Sequence, residues 1–248
     1  MLTSRMETVD WAAIPTPFGP TARLGGADGH ARYELLDPAQ GLRALASATN
    51  LSQAAEAASH LSNSTLPHSH MSAVFPAAVV AAPFLPDIAE HGRPQARQAA
   101  VTLLREMTCS TPIPGFDRVR TAAGHHAPLC CAVAEVVRGR REVLVALGRS
   151  GGDLLGSAAA HWRFDVCEAV AAEGGTVAFG ILDGVLPAEP PRGELHLAGV
   201  RVSITSVVVE YPPVEECGDA CVRLVGAPIG ESVDGGVVRP AECGERGR

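Results

Sequence analysis

Lysine is absent from this chain of 248 residues, and all 20 of its basic residues are arginines. The phosphate-binding loop of P-loop nucleotidases ends in Gly-Lys-Ser/Thr, and its lysine reaches the nucleotide phosphates. A chain without lysine is therefore not a GTPase or ATPase of that class. Together with the abundance of alanine, the arginine bias is typical of a GC-rich genome of the actinobacterial kind, and it indicates no mechanism.

Aromatic residues and long apolar runs are also scarce. Phe, Trp and Tyr make up only 4% of the chain, so its core has to be built from Leu, Val, Ala and Ile. The most apolar window, residues 71–85, contains Pro76 and Pro83 and is too short to span a membrane. The first residues show no apolar segment of the signal-peptide kind. The sequence predicts a cytoplasmic protein without a membrane partner, whose cysteines are mostly reduced thiols.

The net charge of −7 is confined to one part of the chain. Residues 1–159 carry 13 arginines and 13 acidic residues, whereas residues 160–248 carry 7 arginines and 14 acidic residues. Nucleic-acid binding draws much of its affinity from a basic surface that neutralises phosphates. The acidic C-terminal part therefore argues against a nucleic-acid partner.

Helical periodicity dominates the chain after an N-terminal stretch rich in proline and glycine. Residues 1–37 are predicted to form an irregular arm, and Asp37-Pro38 is a typical helix start with an Asp cap and a first-turn proline. Helices are predicted at 39–47, 51–61, 71–90, 94–107, 129–148 and 154–161. Their Ala-rich faces include the segments PAAVVAAPFL and ARQAAVTLLREM. Over residues 9–148 they resemble the HEAT-like helical-repeat proteins common in actinobacteria, with a compact helical bundle as the alternative.

From residue 162 the apolar pattern changes to the alternation that is typical of strands. Strands are predicted at 164–170, 176–182, 194–197, 200–211, 220–225 and 236–239. Gly174-Gly175 suits a tight turn between the first two, because glycine tolerates a positive φ. Short strands at this spacing indicate an antiparallel barrel or a small closed sheet.

The order and lengths of the segments 164–170, 175–180, 194–205 and 220–226 resemble the second domain of elongation factor Tu-type translation GTPases, a small closed β-barrel. In that family this domain can contact the aminoacyl end of a tRNA beside a GTP-binding domain. No ligand-contacting motif is matched here, so the resemblance implies the barrel and no residue role. A generic antiparallel β-domain is the alternative.

The predicted fold class is therefore α+β with two domains. The arm covers residues 1–37, the HEAT-like helical domain 38–161 and the barrel 162–243. Residues 244–248 are predicted to be a disordered tail.

The C-terminal cysteines are the candidate metal ligands. Cys217 and Cys221 have the spacing C-x3-C in CGDAC, and Cys243 lies near the end of the chain in AECG. If the ends of the barrel meet, these thiols can bind a structural zinc ion with Cys167 or His196 as the fourth ligand. Free thiols or a disulfide are the alternatives, and no other cofactor is predicted. Cys109 closely follows the helix predicted at 94–107, and Cys130 and Cys131 fall on the helix predicted at 129–148. All three are interpreted as small core hydrophobes.

Four histidines are candidates for a catalytic, metal or anion site. His68 and His70 precede the helix predicted at 71–90, and His125 and His126 precede the helix predicted at 129. Histidines in such loops also serve as caps or surface residues, and this alternative stays open.

One basic cluster stands out in the otherwise balanced helical part. Arg138, Arg140 and Arg141 lie together, flanked by Glu135 and Glu142. The cluster is a candidate docking site for an acidic partner or for the chain's own barrel. A solvated helix face is the alternative.

No complete catalytic constellation is recognised in the sequence. Gly148-Arg149-Ser150-Gly151-Gly152 matches Gly-x-Ser-x-Gly but lacks the strand-turn-helix context of a nucleophile elbow, and no Gly-x-Gly-x-x-Gly follows a predicted strand. The leading hypothesis is a non-catalytic binding or adaptor protein, of an accessory or immunity type, whose partner is another protein. One alternative is a small-molecule enzyme with its site at the domain interface. Another is a translation-linked protein that binds tRNA or the ribosome without GTPase activity.

Overall fold

The computed structural model describes residues 2–15, 37–65, 73–112, 115–121, 126–197, 199–214, 217–227, 233–241 and 243. Within these ranges, helices in the first part of the chain precede a curled, seven-stranded antiparallel sheet. The α+β prediction is therefore confirmed. Most of the arm predicted at 1–37 and the tail predicted at 244–248 lie outside the described residues.

The bounds of the helices follow the chain in order. The α-helices are α1 Leu2–Glu7, α2 Pro38–Ser47, α3 Leu51–Thr65, α4 Pro76–Ala81, α5 Leu85–His91, α6 Pro94–Cys109, α7 Leu129–Arg138, α8 Arg141–Ala146 and α9 Arg149–Ala159. Short 3-10 turns cover Trp11–Ala13 and Ala82–Phe84.

The strands fall into one large sheet and two short pairs. They are β1 Ala73–Val74, β2 Thr111–Pro112, β3 Arg118–Arg120, β4 His126–Pro128, β5 Arg163–Ala172, β6 Gly175–Asp183, β7 Gly193–Leu197, β8 Val200–Ile204, β9 Ser206–Tyr211, β10 Cys217–Val225 and β11 Val237–Pro240.

Two helix starts follow from side chains that cap free backbone N–H groups. The Asp37 carboxylate accepts a 2.9 Å hydrogen bond from the Ala39 N–H, and Pro38 occupies the first turn of α2. At the start of α3, the Gln53 N–H donates a 2.9 Å hydrogen bond to Asn50 Oδ1. Both helices bury leucines, with Leu42 and Leu61 fully enclosed in the helical core.

The first part of the chain is not purely helical. β1 and β2 form a parallel pair, and β3 and β4 form an antiparallel pair just before α7. The helix predicted at 71–90 begins only at Pro76, because proline favours the first turn of a helix. The helix predicted at 129–148 ends at Arg138, where Gly139 follows as the cap, and α8 starts two residues later.

The large sheet has the strand order β8-β7-β11-β5-β6-β10-β9. Its two edge strands, β8 and β9, are consecutive in the chain and are separated only by Thr205. So short a link forces the two edges towards each other, and the sheet curls into a half-barrel around Phe164, Leu195 and Leu224. Among the described residues no strand pairing joins β8 to β9, so the predicted closed barrel is a half-barrel here.

Ion pairs between the helices and the sheet fix how the two parts pack. Arg118 Nη2 of β3 lies 2.7 Å from Glu194 Oε1 of β7. Arg239 of β11, which is 1% exposed, pairs with Glu135 of α7. These contacts place α7 and the β3–β4 pair against the sheet and bring the start of α7 close to the end of β11.

Candidate metal centre

Three cysteines and one histidine meet where α7, the end of α9 and the segment after β11 come together. The four donor atoms of Cys130, Cys131, His161 and Cys243 all lie within 4.8 Å of one another. Cys130, Cys131 and His161 are buried, and Cys243 is partly exposed. This buried cluster of soft and imidazole donors is a candidate metal centre.

Three separate elements supply the donors. Cys130 and Cys131 occupy the first turn of α7, which is fixed by a 3.1 Å hydrogen bond from the Leu129 N–H to the Asp117 carbonyl. His161 follows the last turn of α9, and Cys243 follows β11. β11 pairs with both β5 and β7, and this pairing fixes its position in the sheet. Cys243, which follows β11, is thereby placed beside the helices.

The distances within the cluster suit a small, tetrahedral ion. Cys243 Sγ lies 2.9 Å from Cys131 Sγ and 2.8 Å from His161 Nδ1. Cys131 Sγ lies 3.6 Å from His161 Nδ1. Zinc bonds of about 2.3 Å to sulfur and 2.0–2.1 Å to nitrogen imply donor separations of roughly 3.5–3.8 Å in a tetrahedron. The 3.6 Å separation falls in that range, whereas the 2.9 and 2.8 Å separations of Cys243 Sγ are shorter, so this thiol has to move outward to admit an ion.

Burial and mutual hydrogen bonds hold the Cys130 and Cys131 thiols of the cluster in their protonated form. Hydrogen bonds to Cys131 and Cys243, together with burial, raise the pKa of the Cys130 thiol well above its usual range. A hydrogen bond from Cys130 lowers the pKa of Cys131, but the hydrogen bond to Cys243 and burial outweigh it, so this pKa is also raised. Thiolates are the form that binds metals. A divalent cation displaces the protons and supplies the charge that lets these thiols ionise together.

Arg138 supports the centre from the far end of α7. Its Nη1 donates 2.8 Å hydrogen bonds to the carbonyl oxygens of Ala158 and His161. Its Nε lies 2.9 Å from Asp183 Oδ1 on β6, and the side chain is only 4% exposed. Cys131, Glu135 and Arg138 are four and three residues apart, so they share one face of the helix. One face of α7 therefore carries the Cys131 thiol, a metal donor, and the Arg138 guanidinium, which binds the backbone carbonyl of His161.

Only one of the three predicted metal ligands belongs to the cluster. Cys243 lies in it, whereas Cys217 and Cys221 lie on β10. Residues four apart on a strand are separated by roughly 13 Å, so Cys217 and Cys221 cannot share one ion. The proposed fourth ligands also lie elsewhere, with Cys167 exposed on β5 and His196 beside Glu194 on β7.

The predicted histidine site cannot be assembled from the described residues. His126 is exposed on β4. The other three candidates, His68, His70 and His125, lie outside the described residues.

The predicted basic cluster contacts the chain itself. Arg138 pairs with the sheet through Asp183, which is the docking on the chain's own β-domain that the sequence left open. Arg140 pairs with Asp87 and Glu90 of α5. Arg141 begins α8 and is exposed. The buried guanidinium of Arg138 is therefore not accessible to another protein.

Sequence reasoning missed Cys130, Cys131 and His161 as ligands. The available signals were two adjacent cysteines at a predicted helix start and a histidine at the predicted change from helix to strand. Neither feature predicts that these residues lie near Cys243, because 112 positions separate Cys131 from Cys243 in the chain.

A second polar cluster surrounds Glu194 on β7. Its Oε1 lies 2.7 Å from Arg118 Nη2 and its Oε2 lies 3.4 Å from His196 Nε2. Burial alone would raise the pKa of Glu194, but hydrogen bonding from His196 and the charge and hydrogen bond of Arg118 lower it below its usual range. This cluster joins the β3–β4 pair to the sheet by charge pairing.

Cavities also open elsewhere on the described surface, and three of them are lined by helices of the first part of the chain. The one between α3 and α6 has a volume of about 490 Å³ and is lined mostly by apolar and small side chains, with Glu106 among the lining residues. The others, of about 310 and 420 Å³, adjoin α2. The metal donors line none of these three cavities.

Comparison with protein-family models, curated proteins and solved structures finds no match to this chain. In the ranges that the structure describes, every helix is too short or too polar to cross a membrane. The metal centre is therefore the feature that carries the functional inference.

Proposed function

We propose that the protein binds one zinc ion through Cys130, Cys131, His161 and Cys243. The observation that carries this proposal is the convergence of three thiols and one imidazole, from three elements, within 4.8 Å. Thiolate and imidazole donors favour zinc over the hard cations, which prefer oxygen ligands. A set of three cysteines and one histidine is a common ligand set of structural zinc.

The zinc ion has a structural role in this proposal. Catalytic zinc keeps one position open for water or substrate, whereas four protein donors close the coordination sphere. No carboxylate among the described residues joins the cluster to act as a base. The ion instead ties the segment after β11 to α7 and to the turn after α9, across 112 and 82 positions of the chain.

A thiol enzyme is the second candidate, because Cys243 Sγ lies 2.8 Å from His161 Nδ1. A thiol beside an imidazole is the arrangement of an activated cysteine nucleophile. Cys131 Sγ also lies 2.9 Å from Cys243 Sγ, so a second thiol fills the space next to the nucleophile. The crowding favours metal binding over catalysis.

At the level of the whole chain, we infer a non-catalytic binding protein whose partner is another protein. Supporting this, Phe179 and Tyr211 are 47% and 70% exposed on the outer face of the sheet. Both pair with Cys221 across β6, β10 and β9, so they form one row. Exposed apolar patches of this kind mark interaction surfaces.

The zinc proposal is tested by metal analysis of the purified full chain. We expect native mass spectrometry and elemental analysis to find one zinc ion per chain, and cobalt(II) exchange to give thiolate-to-cobalt charge-transfer bands with a tetrahedral d–d spectrum. Cys130→Ser and Cys131→Ser should reduce metal retention. Cys109→Ser and Cys167→Ser, at exposed cysteines, are the matched controls. A wild-type chain that retains neither metal refutes the proposal.

The partner proposal is tested separately by affinity purification from the native cell lysate. We expect a stoichiometric protein with the wild-type bait and its loss with Phe179→Ser/Tyr211→Ser. Equal zinc content in both baits shows that the loss is local to the patch. Recovery of the same protein by both baits contradicts a role for this surface.

A further inference from the structure

We propose that Cys243 and Cys131 are a peroxide-reactive pair that closes to a disulfide and releases the zinc ion. This inference rests on the proposed zinc site and assigns a modification to it. The modifying reagent is hydrogen peroxide or another small hydroperoxide.

The pair is set up for disulfide formation by its separation. The two sulfur atoms lie 2.9 Å apart, whereas a disulfide bond is about 2.05 Å long. Bond formation requires the two sulfur atoms to approach each other by about 0.9 Å. The two residues are 112 positions apart in the chain. A disulfide between them would connect α7 to the segment after β11, as the zinc ion does.

Exposure assigns the two roles in the reaction. Cys131 is 1% exposed, so a peroxide molecule in solvent has no path to its sulfur. Cys243 is partly exposed and is the donor of this centre that meets solvent. Cys243 is therefore the sulfur that is oxidised first, and Cys131 is the one that resolves it.

The adjacent pair of cysteines cannot be the one that closes. Neighbouring Cα atoms are about 3.8 Å apart across a trans peptide, whereas disulfides need Cα separations of about 4.4–6.8 Å. Cys130 and Cys131 both belong to α7, whose helical backbone fixes that short spacing. Oxidation between them would require α7 to unwind.

The reaction balances with peroxide as the only oxidant. The Cys243 thiolate attacks one peroxide oxygen and breaks the O–O bond, which gives a sulfenic acid and one hydroxide ion. The Cys131 thiolate then attacks the Cys243 sulfur, forms the S–S bond and expels the second hydroxide. Two electrons pass from the two sulfurs to the peroxide, and two protons from solvent convert both hydroxides to water. The zinc ion keeps its charge and loses two of its four ligands.

The two remaining donors, Cys130 and His161, do not hold the ion against a chelator. The disulfide keeps Cys243 beside α7, so the end of the sheet stays attached after the zinc leaves. Oxidation thus replaces the zinc ion by a disulfide as the connection between α7 and the segment after β11. A reducing thiol restores both cysteines and allows zinc to return.

The test uses the zinc-loaded full chain treated with hydrogen peroxide in the presence of a chromogenic zinc chelator. We expect complete release of the bound zinc, loss of two hydrogen masses, and a proteolytic map that links the peptides of Cys131 and Cys243. Dithiothreitol with added zinc should reverse all three changes. Cys109→Ser/Cys167→Ser/Cys217→Ser, which lacks the exposed thiols, should behave like wild type.

A second variant keeps the assignment of roles testable. In Cys130→Ser/Cys131→Ser the sulfenic acid of Cys243 has no resolving thiol in the cluster, so we expect dimedone to label Cys243. Zinc that stays bound under peroxide, or a disulfide that maps to Cys130–Cys243 or another pair, overturns this inference and leaves the zinc site standing. A protein that never binds zinc refutes the proposed function instead, and its disulfide map still tests the pairing of Cys131 with Cys243.

Discussion

Arg138 Nη1 donates a 2.8 Å hydrogen bond to the backbone carbonyl oxygen of His161. The same helix that supplies two thiols to the metal centre thus also holds the backbone of the imidazole donor in place. Removing a group that orients a metal ligand typically lowers metal affinity by about 10–100-fold. The connection makes Arg138 a positioning residue for the centre.

Replacing Arg138 is expected to weaken both the metal centre and the fold. Arg138→Ala leaves Asp183 without its 2.9 Å partner and frees the His161 carbonyl. We expect zinc affinity to fall by about 10–100-fold and the free energy of unfolding to fall by about 3–5 kcal/mol. Chelator competition and urea titration measure the two quantities. The cobalt(II) spectrum is the readout for site geometry, and Arg149→Ala, at an exposed position of α9, is the control.

Two adjacent glycines in α9 make a matched pair for testing how α8 and α9 pack. A Cβ on Gly151 would lie 1.8 Å from the Leu144 carbonyl oxygen, whereas a Cβ on Gly152 meets nothing within 4 Å. We expect Gly151→Ala to destabilise the protein by about 1–3 kcal/mol. Gly152→Ala should instead stabilise it by up to about 1 kcal/mol, because alanine is the better helix former. Thermal unfolding compares them, and equal midpoints would contradict the close approach of the helices.

Glu194 is expected to make the free energy of unfolding depend on pH in the acidic range. The pKa of Glu194 is lowered in the folded state. Its carboxylate therefore stabilises the fold at pH values above about 4.3, the ordinary pKa of glutamate. This stabilisation is lost as the pH falls through the folded-state pKa. Glu194→Gln should reduce the free energy of unfolding by about 1.5–3 kcal/mol at pH 7. The difference from wild type should shrink at pH 3. Urea titrations at both pH values measure it, with the exposed Glu189→Gln as control.

The cysteines of β10 are expected to be irrelevant to metal binding. Cys217 and Cys221 belong to one strand, and neither is among the donors of the cluster. We expect Cys217→Ser and Cys221→Ala to retain the full zinc content and the cobalt spectrum of wild type. Loss of metal from either variant would show that β10 reaches the centre in solution.

The sequence predicted local structure well where short-range chemistry decides it. The Asp37 cap starts α2, and the alternating pattern from residue 162 yields strands close to the predicted ranges. The segment predicted as one strand at 200–211 is divided at Thr205, where the chain passes from one sheet edge to the other. That division depends on which strands pair, and the periodicity of a single segment contains no such information.

The candidate site was predicted only in part for the same reason. The sequence named Cys243 as a candidate zinc ligand, but it grouped this residue with Cys217 and Cys221, which lie outside the cluster. Cys130 and Cys131 read as core residues, since buried cysteines and small hydrophobes share the same pattern in a helix. What distinguishes them is the arrival of His161 and Cys243 from distant parts of the chain, and this proximity exists only in the folded protein.

The position of β11 in the sheet determines when this protein can finish folding. β11 follows every other described strand in the chain, yet it pairs with β5 on one side and β7 on the other in the interior of the sheet. The first six strands of the sheet form two groups, β7–β8 and β5–β6–β10–β9, that share no strand pairing until β11 joins them. Complete pairing of the sheet therefore waits for residues 237–240, and the same step brings Cys243 to the other donors of the candidate metal centre.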